Sequence, residues 1–298
     1  MSYPGTMKVV KTYEADFNGV SGKWQSFIVV FEGNLHFPLY LDKFRPMNKK
    51  KIVVKLGTNS MTKEDGTLDQ ELIKDLVRQI AALKENFDVL LVTSGAMGCG
   101  RSIIKKKLDY DEVTTRQVYA VVGQVRLMEL YANLFGEHGR VVAQMLATKE
   151  DFTNRSHILN TKNCIDSLFH EEIIPVMNEN DFVCIEELMF TDNDELALMV
   201  SKMIFADTLI ILSNVDGVYD SEKKVISEVA ADEMMPRSIV SSEKSSFGKG
   251  GMQNKFTVAQ MAAKNGTTVF ITNSKEENVI TRICNGETVG TKFLPLKA

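Results

Sequence analysis

Short apolar runs alternate with amphipathic stretches from Lys51 onward, and this alternation restricts the fold more than any other feature. The runs have the length and β-branched content of buried strands, and the stretches repeat apolar residues every three or four positions. We predict strands over 52–56, 89–92, 141–146, 173–177, 208–212 and 267–271, and helices over 68–83, 115–135, 154–169, 194–205 and 252–264. Such alternation predicts an α/β fold with a mostly parallel sheet between helix layers.

The first 46 residues differ from the rest of the chain. They are rich in aromatic residues and glycine, hold the only tryptophan, Trp24, and show no strand–helix alternation. Met47 then comes shortly before three lysines and the first strand, as a natural start would. We therefore predict an N-terminal extension of unknown role, or an upstream misread start, over 1–46, and a catalytic domain over 47–298.

Net charge, apolar runs and the spacing of cysteine and histidine exclude several kinds of binding partner. The 298 residues include 35 Lys and Arg against 39 Asp and Glu, a formal net charge of −4, which argues against nucleic acid or an anionic membrane. No apolar run approaches the roughly 20 residues that span a bilayer, and no secretory signal is evident, so we expect a cytoplasmic protein. The four cysteines and four histidines lack metal-ligand spacing, so we expect no metal on protein side chains.

The loops after the first two strands carry candidate ligand-binding residues, since ligands of α/β sheets bind beyond the carboxyl ends of the strands. The first strand ends in Lys55-Leu56-Gly57-Thr58, where a lysine beside a glycine turn suits a phosphate, or is an edge lysine that reaches water. The second ends in Ser94-Gly95, where glycine would let a ligand approach a helix N-terminus; a plain glycine-rich loop would show the same pattern.

Polar clusters follow the later elements. Asn178-Glu179-Asn180-Asp181 ends the strand over 173–177, and Asp192-Asn193-Asp194 precedes a helix, where one side chain could serve only as the N-cap. A glycine loop ending in Gly251 precedes the helix that contains Lys255, which suits a polyphosphate; the alternative is a flexible loop with solvated lysines. The chain has neither G-x-G-x-x-G nor G-x-x-x-x-G-K-[ST], which argues against a dinucleotide-binding fingerprint and a P-loop.

Taken in order, these loops resemble the amino acid kinase family, and within it the enzymes that phosphorylate glutamate at the start of proline biosynthesis. The matching stretches are 53–58, 92–96, 117–127, 178–181, 192–194, 215–219 and 250–252 with Lys255. The match runs from about residue 47 to residue 293. The resemblance implies ATP-dependent phosphorylation of the γ-carboxylate of L-glutamate, with Mg²⁺ bound mainly through the phosphates of ATP.

The resemblance also implies roles for residues of this chain. Lys55 and Lys255 would be catalytic, and Asp194 would hold both lysines in place. The implied ATP-binding residues are Lys55, Gly57, Thr58, Ser213, Asn214, Lys249, Gly250, Gly251, Met252, Gln253, Asn254 and Lys255. The implied substrate-binding residues are Ser94, Gly95, Asn178, Asp181 and Asn193. The implied partners are further copies of the chain, as a dimer or tetramer, and glutamate-5-semialdehyde dehydrogenase.

Three departures from the family pattern and several alternatives accompany this interpretation. Lys249 stands where threonine is common, and Ser213-Asn214 stands where Thr-Asp is usual. Because the sequence stops at Ala298, the C-terminal PUA domain of many relatives is expected to be absent. The alternatives are kinases of N-acetylglutamate, aspartate, carbamate or uridylate, and a non-catalytic nucleotide-binding protein. Asp181 favours a substrate with a free α-ammonium, and the two lysines favour catalysis.

Overall fold

The computed structural model describes residues 8–13, 26–30, 49–63, 67–183, 190, 192–236, 239 and 251–296, the first two ranges by their backbone alone. The chain divides into two units, Met1–Asn48 and Lys49–Ala298. In the first unit, strand β1 (Lys8–Tyr13) pairs antiparallel with strand β2 (Ser26–Val30). The predicted domain boundary between residues 46 and 47 stays a prediction.

Within the described residues of the second unit, eight strands form one sheet in the order β5-β6-β4-β3-β7-β9-β10-β8. The strands are β3 (Lys50–Leu56), β4 (Phe87–Thr93), β5 (Val142–Ala147), β6 (Ile174–Glu179), β7 (Thr208–Ser213), β8 (Glu228–Ala230), β9 (Thr268–Asn273) and β10 (Thr291–Leu294). Neighbouring strands pair parallel, except that β9 and β10 pair antiparallel.

Helices connect and cover these strands. They are α1 (Thr58–Met61), α2 (Gln70–Leu83), α3 (Ala96–Ile103), α4 (Glu112–Gly136), α5 (Arg155–His170), α6 (Asn193–Ile204), α7 (Met252–Lys264) and α8 (Val279–Cys284), with a 3-10 helix at Lys149–Phe152. Within the described ranges, no helix is long and apolar enough to cross a membrane.

Alternation along the central strands divides the core between the two faces of the sheet. Val53 and Ile211 pack with α5, α6 and α7 on one face, whereas Val54 and Ile210 pack with α2, α4 and α8 on the other. All four side chains are fully buried. Helix layers therefore cover a mostly parallel sheet on both faces, which confirms the predicted α/β class.

The predicted elements are present with small shifts at their ends, and one expectation is corrected. After Ser94, helix α3 begins at Ala96, so Gly95 lies at a helix N-terminus, and the approach of a ligand there stays a prediction. The predicted pattern stopped at residue 271, but α8 and β10 follow β9, and β10 pairs with β8. With three and four residues, β8 and β10 are too short for their alternation to stand out in a sequence.

Strand β3 lies where the strand order reverses. The chain continues from β3 to β4 on one side, adds β5 and β6 beyond it, and then places β7 on the other side of β3. In open α/β sheets the crevice at such a reversal, beyond the carboxyl ends of the strands, is the usual ligand site. The carboxyl end of β3 is therefore where a functional site is expected.

Candidate active site

Lys55, Lys255 and Asp194 form one ion-paired cluster at the carboxyl end of β3. The Lys55 Nζ atom lies 2.5 Å from Asp194 Oδ1, and the Lys255 Nζ atom lies 2.7 Å from Asp194 Oδ2. Asp194 is fully buried and Lys55 is only 4% exposed. These three residues together carry one net positive charge, and burial strengthens the attraction of the ammonium groups for an anion.

The three residues come from elements that pack on one face of the sheet. Lys55 shares its face with Val53, two residues earlier, so its side chain points toward α6 and α7. Asp194 lies in the first turn of α6, and Lys255 lies in the first turn of α7. The cluster therefore depends on two helix N-termini that meet above a single strand.

A capping residue links these helix N-termini. Asp192 is the N-cap of α6 and accepts hydrogen bonds from the backbone N–H groups of Asp194 and Glu195, at 3.0 and 3.2 Å. The side chain of Asn254, which precedes Lys255, donates to Asp192 Oδ2 at 2.8 Å. Burial, together with the nearby charge of Asp194, raises the pKa of Asp192. Asp192 thus does serve as an N-cap, and it also ties α7 to α6.

The protonation of Asp194 is set by opposing effects. Burial acts to raise its pKa, because a buried carboxylate loses its hydration. The charges and hydrogen bonds of Lys55 and Lys255 outweigh burial and hold the pKa of Asp194 below its ordinary value. The carboxylate is therefore ionised at neutral pH and holds both ammonium groups.

The structure describes all the predicted ATP-binding residues except two. Gly57 and Thr58 follow β3, Ser213 ends the neighbouring strand β7 and Asn214 comes next, and Met252, Gln253 and Asn254 open α7 after its N-cap Gly251. Ser213 is buried, whereas Thr58, Asn214 and Gln253 are exposed. Lys249 and Gly250 lie outside the described residues.

The surroundings of Lys55 have room and donors for a phosphate group. A Cβ atom at Gly57 would lie 2.8 Å from Lys55 Nζ, so glycine keeps the space beside the ammonium open. The N-cap Gly251 has no side chain to cap α7, which leaves backbone N–H groups for an anion. By contrast, the described residues contain no group of three or more His, Cys, Asp or Glu that could hold a metal ion.

Three predicted substrate-binding residues are joined by hydrogen bonds. The Nδ2 atom of Asn193 lies 2.8 Å from Thr93 O, 2.7 Å from Ser94 Oγ and 3.0 Å from Asn178 Oδ1. Gly95 follows Ser94 as the N-cap of α3, with a φ of 97°, a left-handed conformation that favours glycine. Residues from β4, β6 and α6 thus meet beside the charged cluster, since Asn193 directly precedes Asp194.

Gln124 of α4 extends this network. Its Oε1 atom accepts a hydrogen bond from Asn178 Nδ2 at 2.9 Å. Its Nε2 atom and the Oδ1 atom of Asn193 are buried and have no hydrogen-bond partner among the described residues. An unpaired buried polar atom costs about 1–3 kcal/mol, so a free donor and a free acceptor at the two ends of one network indicate a polar ligand.

Asp181, the remaining predicted substrate-binding residue, follows β6 and pairs with α4. Its Oδ1 atom accepts a hydrogen bond from Arg116 Nη2 at 3.1 Å. Burial raises the pKa of the Asp181 carboxyl and outweighs the opposing effect of Arg116. Helix α4 therefore contributes two side chains, Arg116 and Gln124, to the surroundings of the predicted substrate residues.

The site and fold together define a class: α/β proteins that hold a phosphate-bearing ligand beyond the carboxyl ends of a parallel sheet. Residues 50–273 match the model of the amino acid kinase family. The chain belongs to this family, as its loops predicted.

Its relatives include glutamate 5-kinases from several bacteria. The chain is 42% identical to the enzymes of Bacteroides thetaiotaomicron and Chlorobaculum tepidum, over 82% and 83% of its own length and 70% of theirs. It is 37% identical to the glutamate 5-kinase of Clostridium acetobutylicum, over 83% of its own length and 96% of that enzyme. These relatives confirm the predicted resemblance to the glutamate-phosphorylating enzymes of the family.

Solved structures share the fold at low identity. An isopentenyl phosphate kinase from T. acidophilum superimposes with a TM-score of 0.57 at 12% identity, over 82% of this chain and all of that one. A UMP kinase from Ureaplasma parvum gives 0.57 at 16% identity, over 83% of this chain and all of that one. These two likenesses support the fold alone.

Sequence reasoning missed Arg116 and Gln124 as site residues. Gln124 lies within the stretch 117–127 that resembles the family, next to Gly123, so the resemblance held a signal for it. Arg116 lies just outside that stretch, and its partner Asp181 is 65 residues away. Only the packing of α4 beside the end of β6 brings the two together.

Proposed function

We propose that this chain transfers the γ-phosphoryl group of ATP to the γ-carboxylate of L-glutamate, as a glutamate 5-kinase. The products are L-glutamyl 5-phosphate and ADP, and the reaction is the first step of proline biosynthesis. The observation that carries the proposal is the pair of lysines held on the two oxygens of buried Asp194. The relatives named glutamate 5-kinase support the choice of acceptor.

The reaction needs alignment and positive charge more than covalent help from the protein. An oxygen of the γ-carboxylate attacks the γ-phosphorus, and the bond from that phosphorus to the β–γ bridging oxygen breaks, with its electrons leaving on ADP. Carboxylate and phosphate repel each other, and Lys55 and Lys255 offset this repulsion. Lys55 binds the transferring phosphoryl group, and Lys255 stabilises the charge of the transition state while Asp194 fixes both ammonium groups.

Mg²⁺ would be bound mainly through the phosphate oxygens of ATP, and there it would neutralise phosphate charge. Asp194 in the cluster and Asp192 beside it are carboxylates, but their oxygens already face N–H or ammonium groups. The side chains of the cluster thus suit a phosphate-bound metal rather than a metal held by protein ligands.

The polar network beside the cluster binds the acceptor. Ser94, Asn178 and Asn193 offer hydroxyl and amide groups within one hydrogen bond of each other. Asp181 binds the α-ammonium group, which an N-acetylated substrate lacks. This arrangement holds the γ-carboxylate toward the lysines and the α-carbon toward Asp181.

The first test is trapping of the acyl phosphate product as a hydroxamate. L-glutamate, N-acetyl-L-glutamate and L-aspartate are compared with ATP and Mg²⁺, using the wild type, Lys255→Ala and Lys264→Ala. We expect product with L-glutamate alone, a loss of about 10²–10³-fold in turnover for Lys255→Ala, and turnover within about twofold for Lys264→Ala. Lys264 is the matched control, because it is an exposed lysine at the other end of α7.

Two results would contradict the proposal. Binding of ATP without product from any carboxylate would exclude a glutamate kinase. If turnover falls less than about threefold in Lys255→Ala, that lysine has no part in the mechanism, because removal of an electrostatic stabiliser lowers turnover far more.

We also propose the partners that the family resemblance implies. The chain would assemble as a homodimer or homotetramer, and glutamate-5-semialdehyde dehydrogenase would consume its labile product. Sedimentation velocity of the purified chain, alone and mixed with that dehydrogenase, measures both associations.

A further inference from the structure

Arg116 lies between two carboxylates at the acceptor side of the site. Its Nη2 atom is 3.1 Å from Asp181 Oδ1 and 4.0 Å from Glu179 Oε2. The side chains of Arg116, Asp181 and Glu179 are 26%, 17% and 12% exposed, so all three are largely withdrawn from water but still reachable. Because Arg116 is on α4 and the carboxylates are at the end of β6, the group joins two separate elements.

The α-carbon of an amino acid carries one positive and one negative group. A pocket with Asp181 alone satisfies the ammonium and leaves the α-carboxylate beside another carboxylate, which is unfavourable. Lys55 and Lys255 are held on Asp194 at the phosphoryl end of the site. Arg116 is the cation that the structure places beside Asp181, and a guanidinium binds a carboxylate with two parallel hydrogen bonds.

We propose that Arg116 binds the α-carboxylate of the acceptor while Asp181 binds its α-ammonium group, so that the pair recognises an α-amino acid as a zwitterion. This inference rests on the proposed function. When the substrate enters, each member of the Arg116–Asp181 pair exchanges part of its contact for a substrate charge of opposite sign. The charges of Arg116, Asp181 and the two substrate groups alternate and sum to zero, and the neighbouring Glu179 accepts a hydrogen bond from the backbone N–H of Phe190 at 2.8 Å.

A purely structural role for Arg116 makes a different prediction. If Arg116 only neutralises Asp181 and Glu179, its loss disturbs the whole acceptor pocket and weakens every acceptor alike. If Arg116 binds the α-carboxylate, its loss weakens only ligands that carry that group. Ligands that lack one charged group therefore distinguish the two roles.

The variants are Arg116→Gln, Arg116→Lys and, as the matched control, Arg126→Gln. Arg126 is on the same helix, is exposed and pairs with Glu129 at 2.5 Å. In Arg116→Gln we expect the KM for L-glutamate to rise about 10- to 100-fold, with the KM for ATP and kcat within about threefold of wild type. In Arg116→Lys we expect a smaller rise in the KM for L-glutamate. In Arg126→Gln we expect both KM values and kcat to stay within about twofold of wild type.

Two glutamate analogues complete the experiment as competitive inhibitors. 4-Aminobutyrate lacks the α-carboxylate, and glutarate lacks the α-ammonium. In Arg116→Gln, glutarate binding weakens by about the same factor as glutamate binding, whereas 4-aminobutyrate binding stays unchanged or improves. In Asp181→Asn we expect the opposite: 4-aminobutyrate binding weakens, whereas glutarate binding stays unchanged or improves.

The outcomes separate this inference from the proposed function. Phosphorylation of glutamate by the wild type decides the proposed function. The inference is overturned if Arg116→Gln has a wild-type KM for glutamate, or if it binds both analogues more weakly by the same factor. Either result leaves the proposed function standing.

Discussion

At the scale of single residues, Lys55 is unfavourable for folding because it is a buried charge, and it is also the lysine proposed to bind the transferring phosphoryl group. A lysine in the centre of a buried sheet loses its hydration, and the fold tolerates it only with a partner. The partner is Asp194, which Lys255 shares from another helix. Lys55 was predicted from its place in an apolar strand, and Asp194 from the family resemblance; the geometry that unites them depends on packing.

Replacing Asp194 with asparagine tests whether the shared carboxylate matters for catalysis or only for stability. Asp194→Asn removes the carboxylate that holds the buried Lys55 and the half-buried Lys255, so we expect turnover to fall about 10²–10³-fold and the free energy of unfolding to fall by about 3–5 kcal/mol. Both are measured, by initial rates under saturating substrates and by urea unfolding.

Asp166 provides the matched control for this substitution. It also pairs with two lysines, Lys51 of the same strand β3, at 2.9 Å, and Lys162, but its side chain is 25% exposed. We expect Asp166→Asn to lower the free energy of unfolding by about 1 kcal/mol or less and to leave turnover unchanged. Equal losses of turnover in the two variants would show that Asp194 has no special role.

At the scale of elements, the contact between α3 and α4 positions the acceptor side of the site. Gly100 and Gly123 let the two helices approach, because a Cβ atom at Gly123 would collide with the backbone of Ala96 and Gly100. This contact fixes the start of α3, after its N-cap Gly95, and brings the neighbouring Gln124 to Asn178. Glycine within a helix is intrinsically unfavourable, and here the close packing of the two helices explains it.

Substitution of Gly123 tests this contact. We expect Gly123→Val to lower the free energy of unfolding by about 1–3 kcal/mol and to raise the KM for glutamate, because α3 must shift. Gly136, in the last turn of the same helix, is the control, since a Cβ atom there meets no atom within 4 Å. Gly136→Ala should raise the free energy of unfolding by about 0.4–1 kcal/mol. Wild-type stability of Gly123→Val in urea would contradict this account of the α3–α4 contact.

At the scale of the whole molecule, the sheet and its two helix layers belong to the unit Lys49–Ala298. Strand β3, the centre of the site, begins at Lys50, so a chain that starts at Met47 would keep every residue of this sheet. The family match also begins at residue 50. Residues 1–46 are therefore expected to be dispensable for catalysis.

Truncation tests the domain boundary. A chain of residues 47–298 should fold cooperatively and phosphorylate glutamate with kcat and KM within about twofold of the full chain, because a domain with its own core folds alone. Thermal unfolding and the hydroxamate assay measure these properties. A truncated chain that is insoluble, or whose turnover falls more than about tenfold, would show that the extension is part of the catalytic domain.

The sequence by itself determined the class of fold, most of its strands and helices, and the stretches that contain Lys55, Ser94, Asp194 and Lys255. These features follow from local rules, because apolar spacing, β-branched runs and glycine turns act over a few neighbouring residues. Only the tertiary structure decided the strand order, the antiparallel β10 and the approach of Arg116 and Gln124 to the end of β6. Such contacts join residues 54 and 65 positions apart and depend on how whole elements pack, which no local pattern records.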